Sequence, residues 1–192
     1  MLLFFDTETT GFMNARKPMD APEQAHLVQL AAQLVTPENE TVMEFSVIID
    51  PGVNIPDGAA GVHGITTEKA QKLGIKPSAA LDMFSALHKH AGTLVAHNIG
   101  FDKQVMETAR ARKTGERATM QKPLFCTMER ANNIVKAPPT PKMIAAGRTH
   151  YKKPNLGECI KHFFGEELEG AHDAMIDVRA CRRVYFAILD HK

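Results

Sequence analysis

A chain of 192 residues with 44% hydrophobic content can bury one good core, so we expect a single domain over residues 1–192. The formal net charge of +1 is close to neutral and therefore favours neither a polyanionic nor a cationic partner for the chain as a whole. Three widely spaced cysteines without a Cys-x-x-Cys pair are typical of reduced core thiols. The charged residue Asp6 ends the apolar N-terminal run before it is long enough for a signal peptide or a membrane span, so we expect a cytoplasmic protein with no membrane partner.

Apolar runs and helical periodicity alternate along the chain. Strands are predicted at 2–5, 28–35, 42–49, 93–96 and 123–125, the first three as a meander. Helices are predicted at 66–73, 78–90 with Ser78 as a possible cap, 101–113, 127–135, from a cap at Asn155 to 164, and 174–189. Residues 137–153 begin with Ala-Pro-Pro-Thr-Pro and are expected to form a loop. This order predicts an α/β fold.

Two acidic residues follow the first predicted strand at a spacing of two. Asp6 and Glu8 point to the same side of the sheet if the extended conformation continues past residue 5. An Asp-x-Glu pair alone is a weak signal, and two exposed surface acids are the ordinary interpretation.

Two further acids fall on apolar faces of predicted helices. Asp177 shares a face with Ala174 and Cys181, and Asp102 lies beside Val105 and Met106, whereas Lys103, Glu107 and Arg110 are expected to face outward. Buried like charges raise each other's pKa unless cations or protons neutralise them, and Mg²⁺ or Mn²⁺ prefer such oxygen ligands. Zinc is disfavoured, because the nearest Cys/His set is His88-x-His90 on an expected exposed face.

Positive charge is concentrated in one region. Residues 103–153 hold 12 Lys and Arg against 3 acids, a local net charge of +9. This excess suits a polyanionic partner, although solvated basic faces explain the count equally well.

Three motifs resemble those of the DEDDh exonucleases, the family that includes the proofreading epsilon subunit of bacterial DNA polymerase III. They are residues 5–11 (Phe-Asp-Thr-Glu-Thr-Thr-Gly), 96–102 (Ala-His-Asn-Ile-Gly-Phe-Asp) and 171–177 (Ala-His-Asp-Ala-Met-Ile-Asp), and residues 62–66 (Val-His-Gly-Ile-Thr) also resemble a family segment. The resemblance runs nearly end to end. It implies one exonuclease domain with a ribonuclease H-like fold, a mixed five-stranded sheet flanked by helices.

The resemblance also implies the chemistry. Asp6, Glu8, Asp102 and Asp177 would bind two divalent cations, Mg²⁺ or Mn²⁺, and His172 would be the general base that takes a proton from the attacking water. The expected product is a nucleoside 5′-monophosphate released from a 3′ end.

Substrate-binding residues are also carried over from the motifs. Those aligned with family positions that touch the terminal nucleotide or line the pocket are Thr9, Thr10, Gly11, Val62, His63, Asn98 and Phe101. Phe101 could stack on a base or fill the core, and His63 is expected in a turn rather than on an apolar helix face. Asp173 is expected to cap the last helix. Gln29 departs from the pattern, because many relatives have Glu there.

The leading hypothesis is a 3′-to-5′ exonuclease on single-stranded or frayed DNA, in repair or proofreading. The same chemistry on RNA is the nearest alternative, because these motifs do not reveal how the pocket treats a 2′-hydroxyl. A catalytically inactive nucleic-acid-binding module is a third. No tail like that of the polymerase III subunit follows the last helix, so stable polymerase association is not expected, and no segment identifies a self-association face. The basic 103–153 region is expected to track phosphates near the site.

Overall fold

A five-stranded mixed sheet forms the centre of the fold in a computed structural model that describes residues 1–14, 16–19, 21–116 and 119–191. The strand order is β3-β2-β1-β4-β5; β1 pairs antiparallel with β2 and parallel with β4. The strands are β1 Leu2–Thr9, β2 Leu27–Val35, β3 Thr41–Ile48, β4 Thr93–Ala96 and β5 Leu124–Cys126. The predicted meander is therefore present as β1, β2 and β3.

Helices cover both faces of the sheet. They are α1 Asp57–His63, α2 Thr67–Leu73, α3 Pro77–His88, α4 Ile99–Thr114, α5 Thr127–Val135, α6 Pro141–Ala145, α7 Leu156–Phe164 and α8 Ala174–Asp190. On one face, Leu3 and Phe5 of β1 pack in a cluster with side chains of α3 and α4. On the other, Phe4 packs in a cluster with Val178 and Cys181 of α8. The expected ribonuclease H-like α/β fold is confirmed.

Several element boundaries differ from the sequence prediction for local reasons. β1 continues to Thr9, because pairing with β2 extends past the apolar residues. Helix α3 begins at Pro77 after Lys76, so Ser78 is not its cap. Helix α1 was not predicted. Helix α6 interrupts the expected loop; Thr140 caps it and Pro141 lies in its first turn, where a backbone N–H would have no partner within the helix.

One acidic side chain of α4 does not face outward as predicted. Glu107 is buried, accepts a 2.7 Å hydrogen bond from the N–H of Met120 and forms a 2.8 Å ion pair with Lys103. These partners compensate for its burial.

The cysteine thiols are free, and those of Cys159 and Cys181 are buried. Burial raises the pKa of Cys159 to about 12, so this thiol stays protonated at neutral pH. Within the described ranges, no helix has the length and apolar character needed to cross a membrane.

Candidate active site

A cleft of about 790 Å³ opens where β1 and β4 end. Its walls come from β1, α1, the β4–α4 turn and the segments before α7 and α8. The residues singled out from the sequence all line it: Asp6, Glu8, Thr9, Thr10, Gly11, Val62, His63, Asn98, Phe101, Asp102, His172 and Asp177. Segments that are distant in sequence thus meet in one place, while the role of each residue remains a prediction.

The extended conformation of β1 separates its polar side chains between the two faces of the sheet. Because alternate residues of a strand face opposite sides, Asp6 and Glu8 share the side of Phe4, which packs against α8. Thr7 faces the other side, toward α4. The pair therefore faces the helix that carries Asp177.

Two hydrogen bonds from Thr7 hold Asp102 in the first turn of α4. The Thr7 hydroxyl donates to Asp102 Oδ1 at 2.7 Å, and the Thr7 N–H donates to the same oxygen at 3.1 Å. Asp102 is only 3% exposed, so these bonds lie in a site from which water is largely excluded. Both bonds engage the same oxygen, and Asp102 also lines the cleft.

The start of α8 supplies the third part of the site. Asp173 caps the helix by accepting from the N–H groups of Met175 and Ile176, as predicted. His172 has a left-handed backbone with φ of 69°, and its N–H donates to Asp177 Oδ2 at 2.9 Å. This turn keeps the His172 ring exposed while Asp177 is buried.

The carboxyl groups are close enough to disfavour each other's ionisation. Burial and the nearby Asp177, Asp102 and Asp173 raise the pKa of Glu8 to about 8, and burial is also the main cause that raises the pKa of Asp102 to about 7. Burial followed by the charges of Asp102 and Asp177 raises the pKa of Asp6 well above its usual range. The site therefore needs protons or cations to neutralise it.

The donor groups fit a divalent cation. One ligand atom each of Glu8, His172 and Asp177 can be chosen so that all three lie within 4.8 Å of one another. Asp6 and Asp102 line the same cleft and are electrostatically coupled to this group. Carboxylate oxygens with one imidazole suit hard and borderline ions such as Mg²⁺ and Mn²⁺.

The hydroxyls of the Thr-Thr-Gly segment bond within the protein. The Thr9 hydroxyl donates to the Gly11 carbonyl at 2.6 Å, and the Thr10 hydroxyl accepts from the N–H of His26 at 2.9 Å. These bonds shape the loop after β1. The Thr9 hydroxyl is used as a donor, whereas the Thr10 hydroxyl acts as an acceptor and its own O–H is not used by this bond.

Val62 and His63 do not lie in a turn as predicted; they are the last residues of α1. His63 Nδ1 accepts from the N–H of Ile65, so its Nε2 carries the proton and donates to the carbonyl of Thr9 at 3.2 Å. Burial, opposed by that bond, lowers the pKa of His63. The ring thus fastens α1 to the end of β1, and Val62 remains exposed on the cleft.

Phe101 packs partly against the core and also lines the cleft, so its stacking on a base stays a prediction. Asn98 adopts a left-handed backbone with φ of 67° before α4. The next residue back, His97, bonds through both ring nitrogens, to the Thr127 hydroxyl and the Pro154 carbonyl, which indicates a structural role.

Sequence reasoning missed Phe12, which follows Gly11 and lines the cleft with 92% of its surface exposed. Most of this side chain is therefore accessible from the cleft. The available signal was its position directly after the first motif.

The basic 103–153 region was expected to track phosphates near the site, and that role stays a prediction. No Lys or Arg is among the residues that line the cleft within the described parts of the chain. Instead, Lys113 pairs with Asp82, Lys153 pairs with Glu129, and the Arg112 guanidinium donates to backbone carbonyls of the segment before β2. Arg117, which contributed to the charge count, lies outside the described residues.

The fold and the cleft define the class of protein: a ribonuclease H-like α/β domain with an acidic site suited to divalent cations. Residues 3–185 match the exonuclease family RNase_T. The chain belongs to this family, which confirms the resemblance to exonucleases seen in its motifs.

Individual relatives agree with this assignment. The chain is 33% identical over 105 residues to a DNA polymerase III subunit epsilon-like protein of Rhodobacter capsulatus, covering 53% of this chain and 13% of that protein. It superimposes on the zinc-bound exonuclease I–ssDNA complex from E. coli with a TM-score of 0.76 at 20% identity, covering 100% of this chain and 41% of that one. For E. coli exonuclease I with a dT13 oligonucleotide, the TM-score is 0.69 at 20% identity, covering 98% and 40%. These structures show a shared fold, and the chain spans less than half of each relative.

Proposed function

We propose that this chain is a metal-dependent 3′-to-5′ exonuclease that releases nucleoside 5′-monophosphates from DNA, preferentially from single-stranded or frayed ends. The observation that carries the proposal is the meeting of Asp6, Glu8, Asp102, Asp177 and His172 in one cleft of an exonuclease-family domain. An inactive binding module would have no use for four acids that oppose one another's ionisation.

The four carboxylates would hold the cations. Asp6 and Glu8 come from the rigid central strand, Asp102 is oriented by Thr7, and Asp177 is oriented by the N–H of His172. Two bound Mg²⁺ or Mn²⁺ ions would supply Lewis acidity toward the attacking water and charge stabilisation for the leaving 3′ oxygen.

His172 would act as the general base. Its ring is on the exposed side of the site, and its backbone is tied to Asp177, so it can reach a water beside the carboxylates. A ring nitrogen accepts the water proton, the hydroxide oxygen bonds to the terminal phosphorus, and the bond from phosphorus to the 3′ oxygen breaks. The shortened strand leaves with a 3′-hydroxyl after that oxygen takes a proton from solvent.

The terminal nucleotide would be bound by the loop after β1 and by α1. The Thr9 hydroxyl donates within the protein, whereas the bond from His26 does not use the O–H of Thr10. The Thr10 hydroxyl, the backbone of this loop and Gly11 would therefore contact the sugar. Phe12 and Phe101 would stack on bases, and Val62 would contact the base edge or face. His63 and Asn98 would shape the pocket walls.

DNA is favoured because two of the structures that share this fold are E. coli exonuclease I bound to single-stranded DNA and to dT13. No Lys or Arg side chain lines the described part of the cleft. Binding of DNA would therefore depend more on base stacking and on the bound metal ions than on basic side chains that contact phosphates.

The test uses 5′-labelled and 3′-labelled single-stranded DNA with matched RNA, in Mn²⁺. We expect a ladder from the 5′-labelled DNA and immediate mononucleotide from the 3′-labelled strand. Asp6→Ala and His172→Ala should lose hydrolysis, and Asp6→Ala should still bind the oligonucleotide. His90→Ala, an exposed histidine outside the cleft, is the matched control and should stay active. Faster RNA turnover would overturn the DNA preference, and shortening from the 5′ end would overturn the polarity.

A further inference from the structure

Gln29 of β2 lies directly behind the turn that carries His172 and Asp177. It is 5% exposed and pairs in register with Glu8 of β1. Its Nε2 donates to Asp173 Oδ2 and to the Ser46 hydroxyl, both at 3.3 Å, and its Oε1 accepts from the N–H of Ala174 at 3.3 Å. One amide thus links the sheet to the first residues of α8.

Both oxygens of Asp173 are used. Its Oδ1 accepts from the N–H groups of Met175 at 3.0 Å and Ile176 at 3.2 Å, while its Oδ2 accepts from Gln29. The helix cap therefore leaves one carboxylate oxygen free, and this oxygen accepts a hydrogen bond from the sheet. A side-chain amide supplies that donor and an acceptor for Ala174 from the same group, which a carboxylate cannot do.

We propose that Gln29 is a positioning residue for the active site, acting through Asp173 on the turn that presents His172 and Asp177. The connection is direct: Asp173 follows His172, whose left-handed backbone is fixed by its own bond to Asp177 Oδ2. If Asp173 shifts, the metal ligand and the base shift with it. This inference rests on the proposed exonuclease function and gives a role to Gln29, which departs from the DEDDh pattern.

The negative charge of Asp173, the hydrogen-bond partner of Gln29, allows the proposal to be tested by exchanging amide and carboxylate groups. Gln29→Glu keeps the size of the side chain and its bond to Ala174 but sets a carboxylate at a buried position against the carboxylate of the exposed Asp173. Asp173→Asn in the same chain restores a donor toward position 29, and asparagine remains a good helix cap. The double variant should therefore recover what Gln29→Glu loses.

The experiment measures kcat, KM for a labelled oligonucleotide, and Mn²⁺ affinity by calorimetry without substrate. Gln29→Glu should lower kcat or Mn²⁺ affinity by about 10–100-fold, the usual effect of losing a group that orients metal ligands, with a smaller change in KM. Gln29→Glu/Asp173→Asn should regain most of that loss.

Gln33→Glu is the matched control. Gln33 is a buried glutamine of the same strand and the same face, and it donates to the acidic Glu44, away from the cleft. This variant sets a carboxylate at a buried position against an exposed glutamate outside the site. Its kcat and Mn²⁺ affinity should therefore stay within about twofold of wild type, the scatter of independent sites.

The outcomes separate the two proposals. An inactive wild type that also fails to bind Mn²⁺ overturns the proposed function. An active wild type with Gln29→Glu equal to it, or with no recovery in the double variant, overturns the positioning role. If Gln29→Glu does not fold, Gln29→Met takes its place, because it removes all three hydrogen bonds without adding a charge. Unchanged kcat and Mn²⁺ affinity in Gln29→Met would also overturn the inference.

Discussion

Thr7→Val isolates the contribution of one buried hydroxyl to the candidate metal site. Valine keeps the shape of threonine and its preference for strands, so β1 should be retained. The change deletes the 2.7 Å bond to Asp102 Oδ1 and leaves the 3.1 Å bond from the Thr7 N–H in place. The Asp102 carboxylate would then be held by the weaker of its two bonds from Thr7.

The magnitude follows from the burial of this bond. A hydrogen bond to a charged group contributes about 1.5–3 kcal/mol, and Asp102 is 3% exposed, so little solvent replaces the lost donor. At about 1.4 kcal/mol per tenfold, the full range corresponds to roughly 10–150-fold in metal affinity. Because the N–H bond persists, we expect the lower end, about tenfold.

The assay is a Mn²⁺ titration of exonuclease rate together with calorimetric Mn²⁺ binding in the absence of DNA. Thr7→Ser keeps the hydroxyl and is the matched control, so its Mn²⁺ affinity should resemble that of wild type. Equal Mn²⁺ affinity for Thr7→Val and Thr7→Ser would refute the argument that the hydroxyl orients Asp102.

Three further predictions follow from the site. Saturation with Mn²⁺ at 100 times its Kd should stabilise the fold by about 2.7 kcal/mol, a rise in Tm of roughly 5–11 °C in a chain of this size, and Asp6→Asn should reduce that rise. Burial and neighbouring acids raise the pKa of Glu8 to about 8 and that of Asp102 to about 7, so the folded state binds more protons than the unfolded state, and the Tm of metal-free protein should fall as pH rises from about 4 through 8. Phe12→Ala should raise KM for single-stranded DNA roughly 5–150-fold, because stacking contributes about 1–3 kcal/mol per base, with a smaller effect on kcat.

Each of these predictions has a contrary outcome. An unchanged Tm at saturating metal would contradict a site that binds cations only in the folded state. A metal-free Tm that rises with pH across that interval would contradict the electrostatic argument, and excess Mn²⁺ should flatten the dependence. For Phe12, the control is Phe164→Ala on α7, outside the cleft; an equal loss in both would contradict stacking.

Most elements could be predicted because their signals are local. The apolar run of β2 and the cap residue Asn155 before α7 are present in short windows of sequence, and both elements are found within a residue of their expected bounds. Helix α1, with no buried residue, has no apolar stripe to detect. The outward orientation predicted for Glu107 was wrong because Lys103 and the N–H of Met120, which lies outside α4, compensate for the burial of its carboxylate.

The sequence by itself determined the acidic motifs and the α/β order of elements, because motif identity and periodicity are properties of neighbouring residues. The resemblance of the motifs implied which acids and which histidine would meet. Only the tertiary structure decided how those side chains are held and what lies beside them. Thr7 reaches Asp102 across 95 positions, and Gln29 reaches Asp173 across 144. The exposure of Phe12 and the pairing of Lys113 with Asp82, away from the cleft, were likewise decided only by the tertiary structure. Hydrogen bonds and burial depend on distances of a few ångströms between remote segments, and those distances exist only after the sheet and helices have packed.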